Sequence, residues 1–351
     1  MARASLALAL ALAAACDPGP PPLHAEVWTE ADSLFHGDPR WVGGDGAYSV
    51  DLGGGRVLWS FGDSFIAERE PGLREGARLI RNSVAIQTGY DPSSAFLQFY
   101  WRVKDGAATS FLPDEPPTWH WPGGGIRRGD RLLWFAGQVY QDSPGDWGFA
   151  AGEWRAWLVD NPDDEPTDWR ITRAASDGER THVQLGGAVL LIEPWLYVYG
   201  PGGERHSPYL ARFDAERALR GDLRGPEWWT GVGFGAEAHR APLFHAGAPE
   251  FSVHWAEALG RYVYVAGAGF GSTTIALRTA PRPEGPWTEP RDLLRPPESF
   301  WPDAFVYAAK AHPELTGAEL VATYVPSSFA ALPARYDTTL YYPHFVRVGY
   351  R

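Results

Sequence analysis

Three carboxylates stand where they could form an acid–base site, namely Asp45, Asp63 and Glu250. The chain between the two aspartates predicts a β-hairpin that turns on the consecutive glycines 53–55. If the turn centres on Gly54, paired positions sum to 108 and the two aspartates face each other, with Cβ atoms roughly 5 Å apart. Ionised carboxylates that close repel, so one should keep its proton to a higher pH than a free aspartate. A protonated and an ionised carboxylate side by side can transfer protons.

Apolar and aromatic runs that follow a turn recur five times, beginning at Arg56, Asp130, Pro194, Arg261 and Glu319. Each run has the β-formers and the flanking glycine or proline of a strand, and another apolar strand precedes it. A period near 65 residues, with three or four strands in each unit, is typical of a propeller blade. Five blades use about 325 residues, so the sequence predicts an all-β fold, a five-bladed β-propeller. A β-sandwich would need shorter and more even turn spacing.

The first strand of each blade should line the central channel, and the ends at which these strands begin should surround a pocket on one face. The polar residues nearest those five places are Asp45, His120, His182, Glu250 and Asp303. Acidic side chains at equivalent places in different blades favour a common site over scattered turn residues. We expect the ring to close through a strand at 25–29 that pairs beside 341–348.

Seven residues are candidates for binding a sugar: Arg81, Asn82, His120, Trp121, His182, Trp301 and Asp303. Arg81 and Asn82 begin the strand after Asp63, where Asn82 could bond a sugar hydroxyl or position that carboxylate. Indole faces stack on sugar rings, and Trp121 and Trp301 lie next to polar residues at strand starts. The two histidines could donate to a sugar hydroxyl, and Asp303 is a reserve carboxylate.

Each of these side chains also has a structural interpretation. Asp45, Asp63 and Asp303 could all serve as turn residues. Glu250 could form an ion pair with an arginine such as Arg240. Histidines at such positions are more often structural than catalytic, and most of the 17 tryptophans should belong to the cores between blades.

Composition excludes several kinds of partner. The 43 acidic and 31 basic residues give a formal net charge of −12, which argues against nucleic-acid binding. The single cysteine, Cys16, rules out a cysteine-based zinc site, and His182, Glu250 and Asp303 lack metal-ligand spacing. We expect a monomer with no cofactor, and a structural calcium ion in the channel is the option left open.

The amino terminus predicts export. Residues 1–15 combine Arg3, an apolar stretch and three alanines, as secretory signals do. The run Leu12-Ala-Ala-Ala-Cys16 resembles a bacterial lipoprotein box, in which Cys16 would be acylated, with the proline-rich residues 16–24 as a tether. Ordinary cleavage before a free thiol is the alternative. We expect residues 25–351 to form one domain at the bacterial cell envelope, which touches the membrane only through the lipid, or a secreted domain if Cys16 is not acylated.

Several segments resemble the bacterial domain-of-unknown-function family 4185: Trp59-Ser-Phe-Gly-Asp63-Ser-Phe with the upstream Asp45-Gly46, Arg81-Asn82-Ser83, and Tyr307-Ala-Ala-Lys-Ala-His312-Pro-Glu-Leu315. The resemblance covers most of the chain beyond Trp28. That family is similar to the five-bladed hydrolases of arabinans and fructans, and part of it consists of endo-D-arabinanases of glycoside hydrolase family 183. The resemblance implies that its acid pair falls on Asp45 and Asp63. Glu250 matches the general acid of the wider clan by blade position alone.

The sequence therefore predicts a glycoside hydrolase that acts on a furanoside-containing polysaccharide such as D-arabinan. Asp45 would be nucleophile or base, Asp63 its acid partner or the modulator of its pKa, and Glu250 the alternative general acid. Two other hypotheses stay open: a glycan-binding lipoprotein without catalysis, and a structural module whose channel is filled by side chains.

Overall fold

The computed structural model describes residues 23–70, 73–144, 148–177, 182–269, 272–329 and 339–350. The predicted signal, Cys16 and all but the end of the predicted tether lie outside these residues. None of the helices in the described ranges is long and apolar enough to span a membrane.

The described part of the chain is built mainly of β-strands. In the first half these are β1 (Leu23–Val27), β2 (Trp41–Gly44), β3 (Tyr48–Gly53), β4 (Arg56–Phe61), β5 (Ser64–Ile66), β6 (Arg78–Ile80), β7 (Ser83–Thr88), β8 (Phe96–Tyr100), β9 (Arg102–Lys104), β10 (Ala107–Thr109), β11 (Thr118–Arg128), β12 (Arg131–Gln141), β13 (Phe149–Val159) and β14 (Ile171–Arg173). In the second half they are β15 (Ala175–Ser176), β16 (Ala188–Ile192), β17 (Trp195–Gly202), β18 (Ser207–Asp214), β19 (Asp222–Leu223), β20 (Glu227–Trp229), β21 (Phe234–Gly235), β22 (Phe251–Ala256), β23 (Arg261–Gly267), β24 (Ile275–Ala280), β25 (Arg291–Leu294), β26 (Ala304–Ala311), β27 (Leu320–Ser328) and β28 (His344–Tyr350).

In the described ranges the helices are single turns. Two of these are α-helical, α1 (Thr29–Asp32) and α2 (Ala215–Ala218). The 3₁₀ turns in the described residues are Ser33–His36, Pro166–Asp168, Glu237–His239, Glu257–Leu259 and Pro297–Phe300.

Five antiparallel sheets follow one another along the chain and form the predicted blades. Blade 1 is β3-β4-β7-β8, blade 2 is β11-β12-β13-β14, blade 3 is β16-β17-β18-β20-β21, blade 4 is β22-β23-β24-β25, and blade 5 is β26-β27-β28-β1. The first strands of blades 1 to 5 lie against one another in sequence, so they are the innermost strands. The all-β, five-bladed propeller prediction is confirmed.

The first strand of the chain completes the last blade. β1 pairs antiparallel with β28, from Leu23 opposite Tyr350 to Val27 opposite Val346. This is the expected pairing, with the strand two residues earlier than predicted. Because both ends of the described chain share one sheet, blade 5 joins the start of the propeller to its end.

Five apolar cores alternate with the five sheets. Phe35, Trp59 and Phe345 belong to the core between blades 5 and 1. The other four cores include Leu52 with Trp134, Phe213 with Trp154, Tyr199 with Phe251, and Val263 with Val306, one pair for each remaining neighbouring pair of blades. Burying a side chain of this kind contributes about 1.5–3 kcal/mol. A sandwich would have one core between two sheets, so this arrangement identifies a ring.

The blade 1 hairpin has the predicted register. Tyr48 pairs with Ser60 and Asp51 with Val57, positions that sum to 108, and a bulge then places Gly53 opposite Arg56. The turn residues Gly54 and Gly55 have φ of +63° and +81°, which glycine adopts without strain. The glycine turn thus fixes which residues of the two strands face each other.

Candidate functional site

Asp45 and Asp63 continue the register of the hairpin beyond its regular strands. The Gly62 amide donates to the Asp45 carbonyl at 2.9 Å, and the Asp45 amide lies 3.3 Å from the Asp63 carbonyl. Gly44 pairs with Ser64 on the far side, again at positions that sum to 108. The two aspartates are therefore opposite neighbours at the end where β3 begins, as the hairpin arithmetic predicts.

Two tyrosines from blade 5 and the segment before β28 hold the Asp45 side chain. The phenols of Tyr307 and Tyr341 donate to Asp45 Oδ2 at 2.8 and 3.0 Å. Burial, followed by the charges of Asp63 and Glu250, raises the pKa of Asp45 to about 8, although the two phenols act in the opposite direction. Asp45 Oδ1 lies over Gly62, where a Cβ atom would overlap it.

Asp63 has a different set of partners. Arg81 Nη1 donates to Oδ2 and Trp121 Nε1 donates to Oδ1, each at 2.9 Å. The Arg81 guanidinium also stacks on the Trp119 ring, 4.3 Å from its centroid. Burial raises the pKa of Asp63, whereas Arg81 and Trp121 lower it. Both oxygens of Asp63 are thus held by donors from blades 1 and 2.

Glu250 reaches the same place from blade 4 and meets a buried lysine from blade 5. Lys310 Nζ lies 3.7 Å from Glu250 Oε1, donates to the carbonyls of Ala308 and Gly46, and sits 4.3 Å from the centroid of the Tyr48 ring. Burial raises the pKa of Glu250, and Lys310 partly offsets that rise. Burial also lowers the pKa of Lys310.

A β-bulge in the innermost strand of blade 5 lets two of its side chains reach blade 1. Tyr307 pairs with Val325 but Lys310 pairs with Thr323, so β26 contains one residue more than its partner. Ala308 takes up the extra residue with φ of +55°. Residues three apart in a regular strand point to opposite faces. The bulge removes that restriction, so Tyr307 contacts Asp45 while Lys310 contacts Gly46.

Carboxylates from two blades and a lysine from a third therefore meet at one end of the innermost strands. Side-chain exposure is 15% for Asp63 and 23% for Glu250, so solvent reaches the cluster. Three carboxylates face two cations, Lys310 and Arg81. A cluster with this charge balance can share one proton, and the protons then leave in steps that belong to the cluster. A shared proton between carboxylates suits acid–base chemistry.

The structure brings Arg81 and Trp121 to this cluster but not Asn82 or His120. Asn82 is buried, and its amide bonds the backbone of Leu112 and the His120 carbonyl. His120 is 1% exposed and stacks edge-on against Trp157. The Asn82 side chain thus ties the start of blade 2 to blade 1, and His120 packs against Trp157. A role in binding a sugar stays a prediction for both.

His182, Trp301 and Asp303 lie at the surface near strand starts. His182 and Asp303 have left-handed backbones, with φ of +53° and +59°, and Trp301 is 41% exposed. In the described ranges no hydrogen bond or ring contact joins them to the three carboxylates. A role in binding a sugar remains a prediction for all three.

The described residues do not offer a metal centre. They contain no group of three or more histidine, cysteine, aspartate or glutamate side chains that could hold an ion. The buried His312, directly after β26, bonds Ser49 through Nδ1 at 2.6 Å and Thr323 through Nε2 at 2.8 Å, so both ring nitrogens are engaged. The calcium option therefore gains no support from these side chains.

One open pocket lies at the other end of blade 1. It has a volume of about 430 Å³, and its lining includes Gly54, Arg56, Arg127 and Asp163. Asp163 accepts two bonds from Arg127, while Arg56 donates to backbone carbonyls. The cations of this pocket are already paired, and it contains none of the three carboxylates of the candidate site.

Sequence reasoning missed Tyr307, Lys310 and Tyr341. Two signals could have found the first two residues. Tyr307 and Lys310 both fall in the segment 307–315 that resembles family 4185, and Lys310 is one of only two lysines. Tyr341 lies on a loop segment, and the residues themselves do not indicate its contact with Asp45.

Solved structures share the fold. A candidate hydrolase from Bacteroides ovatus matches with a TM-score of 0.74 and 17% identity over 93% of this chain and 90% of its own. RS223-β-xylosidase matches with a TM-score of 0.51 and 12% identity over 89% and 94%. A GH43_1 enzyme from Xanthomonas citri has a TM-score of 0.48 and 13% identity over 92% and 93%. At these identities the first two structures support the five-bladed propeller fold.

Sequence comparison assigns a family but no activity. No curated protein shows significant sequence similarity to this chain. The matching family is not family 4185, which the motifs of the first and last blades resemble. Residues 29–350 match a domain of unknown function, DUF5005, which spans nearly all of the propeller. The chain therefore belongs to the DUF5005 family.

Proposed function

We propose that this protein is a glycoside hydrolase. The observation that carries the proposal is the meeting of Asp45, Asp63 and Glu250, from blades 1 and 4, beside the buried Lys310 of blade 5. Paired carboxylates are the usual machinery of glycosidic bond hydrolysis. The fold shared with a β-xylosidase agrees with this activity, by analogy of fold alone.

The partners of the carboxylates suggest a division of roles. Asp45 has the raised pKa of about 8 and forms no ion pair in the described ranges, so it carries the shared proton near neutral pH. Its Oδ2 accepts both phenols, which leaves Oδ1 to hold the proton. Glu250 lies beside Lys310, which favours its ionised form. Asp63, held by Arg81, supplies negative charge next to Asp45.

In the proposed reaction Asp45 donates its proton to the glycosidic oxygen as the bond from that oxygen to the anomeric carbon breaks. Glu250 removes a proton from the water whose oxygen forms the new bond to that carbon. The two phenols stabilise the Asp45 carboxylate that this step creates. Because this mechanism places the attacking water between the Asp45 and Glu250 carboxyls, we expect inversion at the anomeric carbon. The family resemblance implies the reverse roles, with Asp45 as base and Glu250 as acid.

The proposed substrate is a furanoside-containing polysaccharide, with D-arabinan the first choice. This choice rests on the resemblance of the first and last blades to a family that contains endo-D-arabinanases. The structures that share the fold include a β-xylosidase. Xylan therefore belongs in the same screen as arabinan, arabinogalactan and levan, and galactan is added to widen it.

The test is release of reducing ends from these polymers by the wild type, Asp45→Asn, Asp63→Asn and Glu250→Gln. We expect losses of about 10²–10⁴-fold in the Asp45 and Glu250 variants. Aryl glycosides with good leaving groups then assign the roles, because they need little acid assistance. If Asp45 is the acid, Asp45→Asn regains activity on them and Glu250→Gln does not. Full activity of both variants on every polymer would exclude the proposal.

The second candidate function is a glycan-binding propeller without catalysis. The hydrogen bonds of the two aspartates favour this function. Both Asp63 oxygens and Asp45 Oδ2 already accept hydrogen bonds from the protein, which leaves fewer carboxylate oxygens for proton transfer. It predicts saturable polysaccharide binding, no release of reducing ends, and no effect of Glu250→Gln on affinity.

We also propose that the protein is exported and anchored through acylated Cys16, a residue outside the described ranges. The support is the motif around Cys16, the only cysteine of the chain. Mass spectrometry of the mature amino terminus tests this, and Cys16→Ser should release the protein from the membrane fraction. An unmodified Cys16 thiol would contradict it.

A further inference from the structure

An aromatic path leads from the surface to Asp45. Phe329, the residue after β27, is 53% exposed, and its ring stacks on buried Phe305 with centroids 4.3 Å apart and planes 27° apart. The Phe305 ring lies 5.4 Å from the ring of Tyr307, whose phenol donates to Asp45. The outer face of Phe329 is therefore separated from the proposed proton donor by two intervening rings.

Backbone pairing fixes this exposed ring beside an exposed carboxylate. Ala304 pairs with Ser328 at the end of the blade 5 hairpin, and the Phe329 amide donates to the Asp303 carbonyl at 3.0 Å. Asp303 is exposed, in the left-handed region. The ring and the carboxylate thus occupy defined positions on the face where the innermost strands begin.

Exposed aromatic side chains are concentrated on this rim of blade 5. Of the six large aromatic side chains exposed in the described ranges, three lie on this rim: Phe300 and Trp301 just before Asp303, and Phe329 across the hairpin from it. Arg295 covers one face of Phe300 at 4.1 Å, whereas Phe329 packs inward on Phe305. An isolated exposed phenylalanine needs no explanation, but three exposed aromatic rings on one rim, one of them linked to Asp45 through two further rings, mark a binding surface.

We propose that Phe329 and Asp303 form a sugar-binding subsite, apart from the bond that is cleaved. The phenyl ring would stack on the apolar face of a sugar ring, and the Asp303 carboxylate would accept bonds from its hydroxyl groups. This inference rests on the proposed function, because the subsite extends the same site along a bound chain. The ligand class is a neutral oligosaccharide, since Asp303 and the three carboxylates repel an acidic sugar.

The subsite predicts a dependence on chain length. A hexasaccharide can occupy the acids and the Phe329 ring together, whereas an aryl monosaccharide cannot. Phe329→Ala should lower kcat/KM on the hexasaccharide about tenfold more than on the aryl glycoside. Phe329→Tyr keeps an aromatic face and should retain most of the activity. Phe96→Ala is the matched control, because Phe96 is 66% exposed on the outer strand of blade 1.

Binding is measured separately from catalysis. With Asp45→Asn as background, calorimetry gives Kd for arabinohexaose, xylohexaose, β-1,3-galactohexaose and an oligogalacturonate. We expect Phe329→Ala to weaken binding of the neutral hexasaccharide about tenfold, Asp303→Asn to weaken it several-fold, and the oligogalacturonate to bind more weakly than the neutral ligands.

The outcomes separate this subsite from the proposed function. If the wild type hydrolyses no polymer but Phe329→Ala abolishes glycan binding, the subsite stands and the hydrolase proposal fails. If the wild type hydrolyses a hexasaccharide and Phe329→Ala changes neither kcat/KM nor Kd, the subsite is overturned and the hydrolase proposal stands. Failure of all four oligosaccharides to bind would also overturn the subsite.

Discussion

The Tyr307 phenol donates a hydrogen bond to the Asp45 carboxylate at 2.8 Å, although the two residues lie 262 positions apart, in blades 5 and 1. The contact crosses the boundary at which the propeller closes. The position of Asp45 therefore depends on ring closure, because Tyr307 of the last blade holds a carboxylate that lies just before the first strand of blade 1.

Removing the phenols should impair proton transfer from Asp45. In Tyr307→Phe and Tyr341→Phe the Asp45 carboxylate loses one donor, so its pKa should rise further. A hydrogen bond to a charged group contributes about 1.5–3 kcal/mol, which corresponds to at least tenfold in kcat for each variant. The measurement is the pH profile of kcat, whose alkaline limb should move to higher pH. An unchanged limb in the double variant would contradict this role. Tyr140→Phe, a partly exposed tyrosine of blade 2, is the control.

Space at Gly62 should be needed for the Asp45 carboxylate. A Cβ at this position would overlap Asp45 Oδ1, so Gly62→Ala should displace the carboxylate from its tyrosines and lower kcat about tenfold or more. Gly233→Ala is the matched control, because its Cβ would meet no atom within 4 Å. Thermal denaturation should show a lower Tm for Gly62→Ala, because the displaced carboxylate loses buried hydrogen bonds, and little change for Gly233→Ala. Equal kcat in Gly62→Ala and Gly233→Ala would show that the carboxylate position is not critical.

Asp45 should make the protein less stable as the pH rises. Its pKa is raised from 3.8 to about 8 in the folded state, so between those values the folded chain holds a proton that the unfolded chain releases. The free energy of unfolding then falls with increasing pH across this window. Asp45→Asn does not bind this proton, so its stability does not fall in the same way. The Tm of the variant minus the Tm of the wild type should therefore increase from pH 5 to pH 8. Gly233→Ala, which alters no charge, should show a constant difference. A constant difference for Asp45→Asn would contradict the raised pKa.

The core between blades 5 and 1 should dominate the stability of the closed ring. Phe35 is fully buried, stacks on Phe345 with centroids 5.0 Å apart and meets Trp59 edge-on at 5.1 Å. Phe35→Ala should lower the free energy of unfolding by about 3–5 kcal/mol, because it removes packing from both blades. The same substitution at exposed Phe96 should cost less than about 1 kcal/mol. Chemical denaturation compares the two, and equal effects would contradict this account of closure.

The sequence predicts local features of the site well. The register that places Asp45 opposite Asp63 follows from a short glycine turn, since strand pairing around a turn is fixed by position. The partner of the first strand was also predictable, because a propeller must complete its last blade.

Features that depend on several blades were not predictable in the same way. Lys310 and Tyr307 both reach blade 1 only because of the bulge at Ala308, and alternation along a regular strand would have separated them. Asn82 has a suitable type and position for a sugar contact, yet it is drawn inward because the backbone at Leu112 needs its amide. The directions of these side chains depend on packing between different strands and loops. The residue pattern of one strand does not contain that information.

The most direct measurement is a crystal structure of Glu250→Gln with an oligosaccharide that the wild type hydrolyses. The account predicts a glycosidic oxygen within roughly 2.6–3.2 Å of the Asp45 carboxyl, with the side-chain amide introduced at position 250 on the opposite side of that sugar ring. A sugar bound only in the pocket beside Arg56 and Arg127, with Asp45 and the side chain at position 250 untouched, would contradict it.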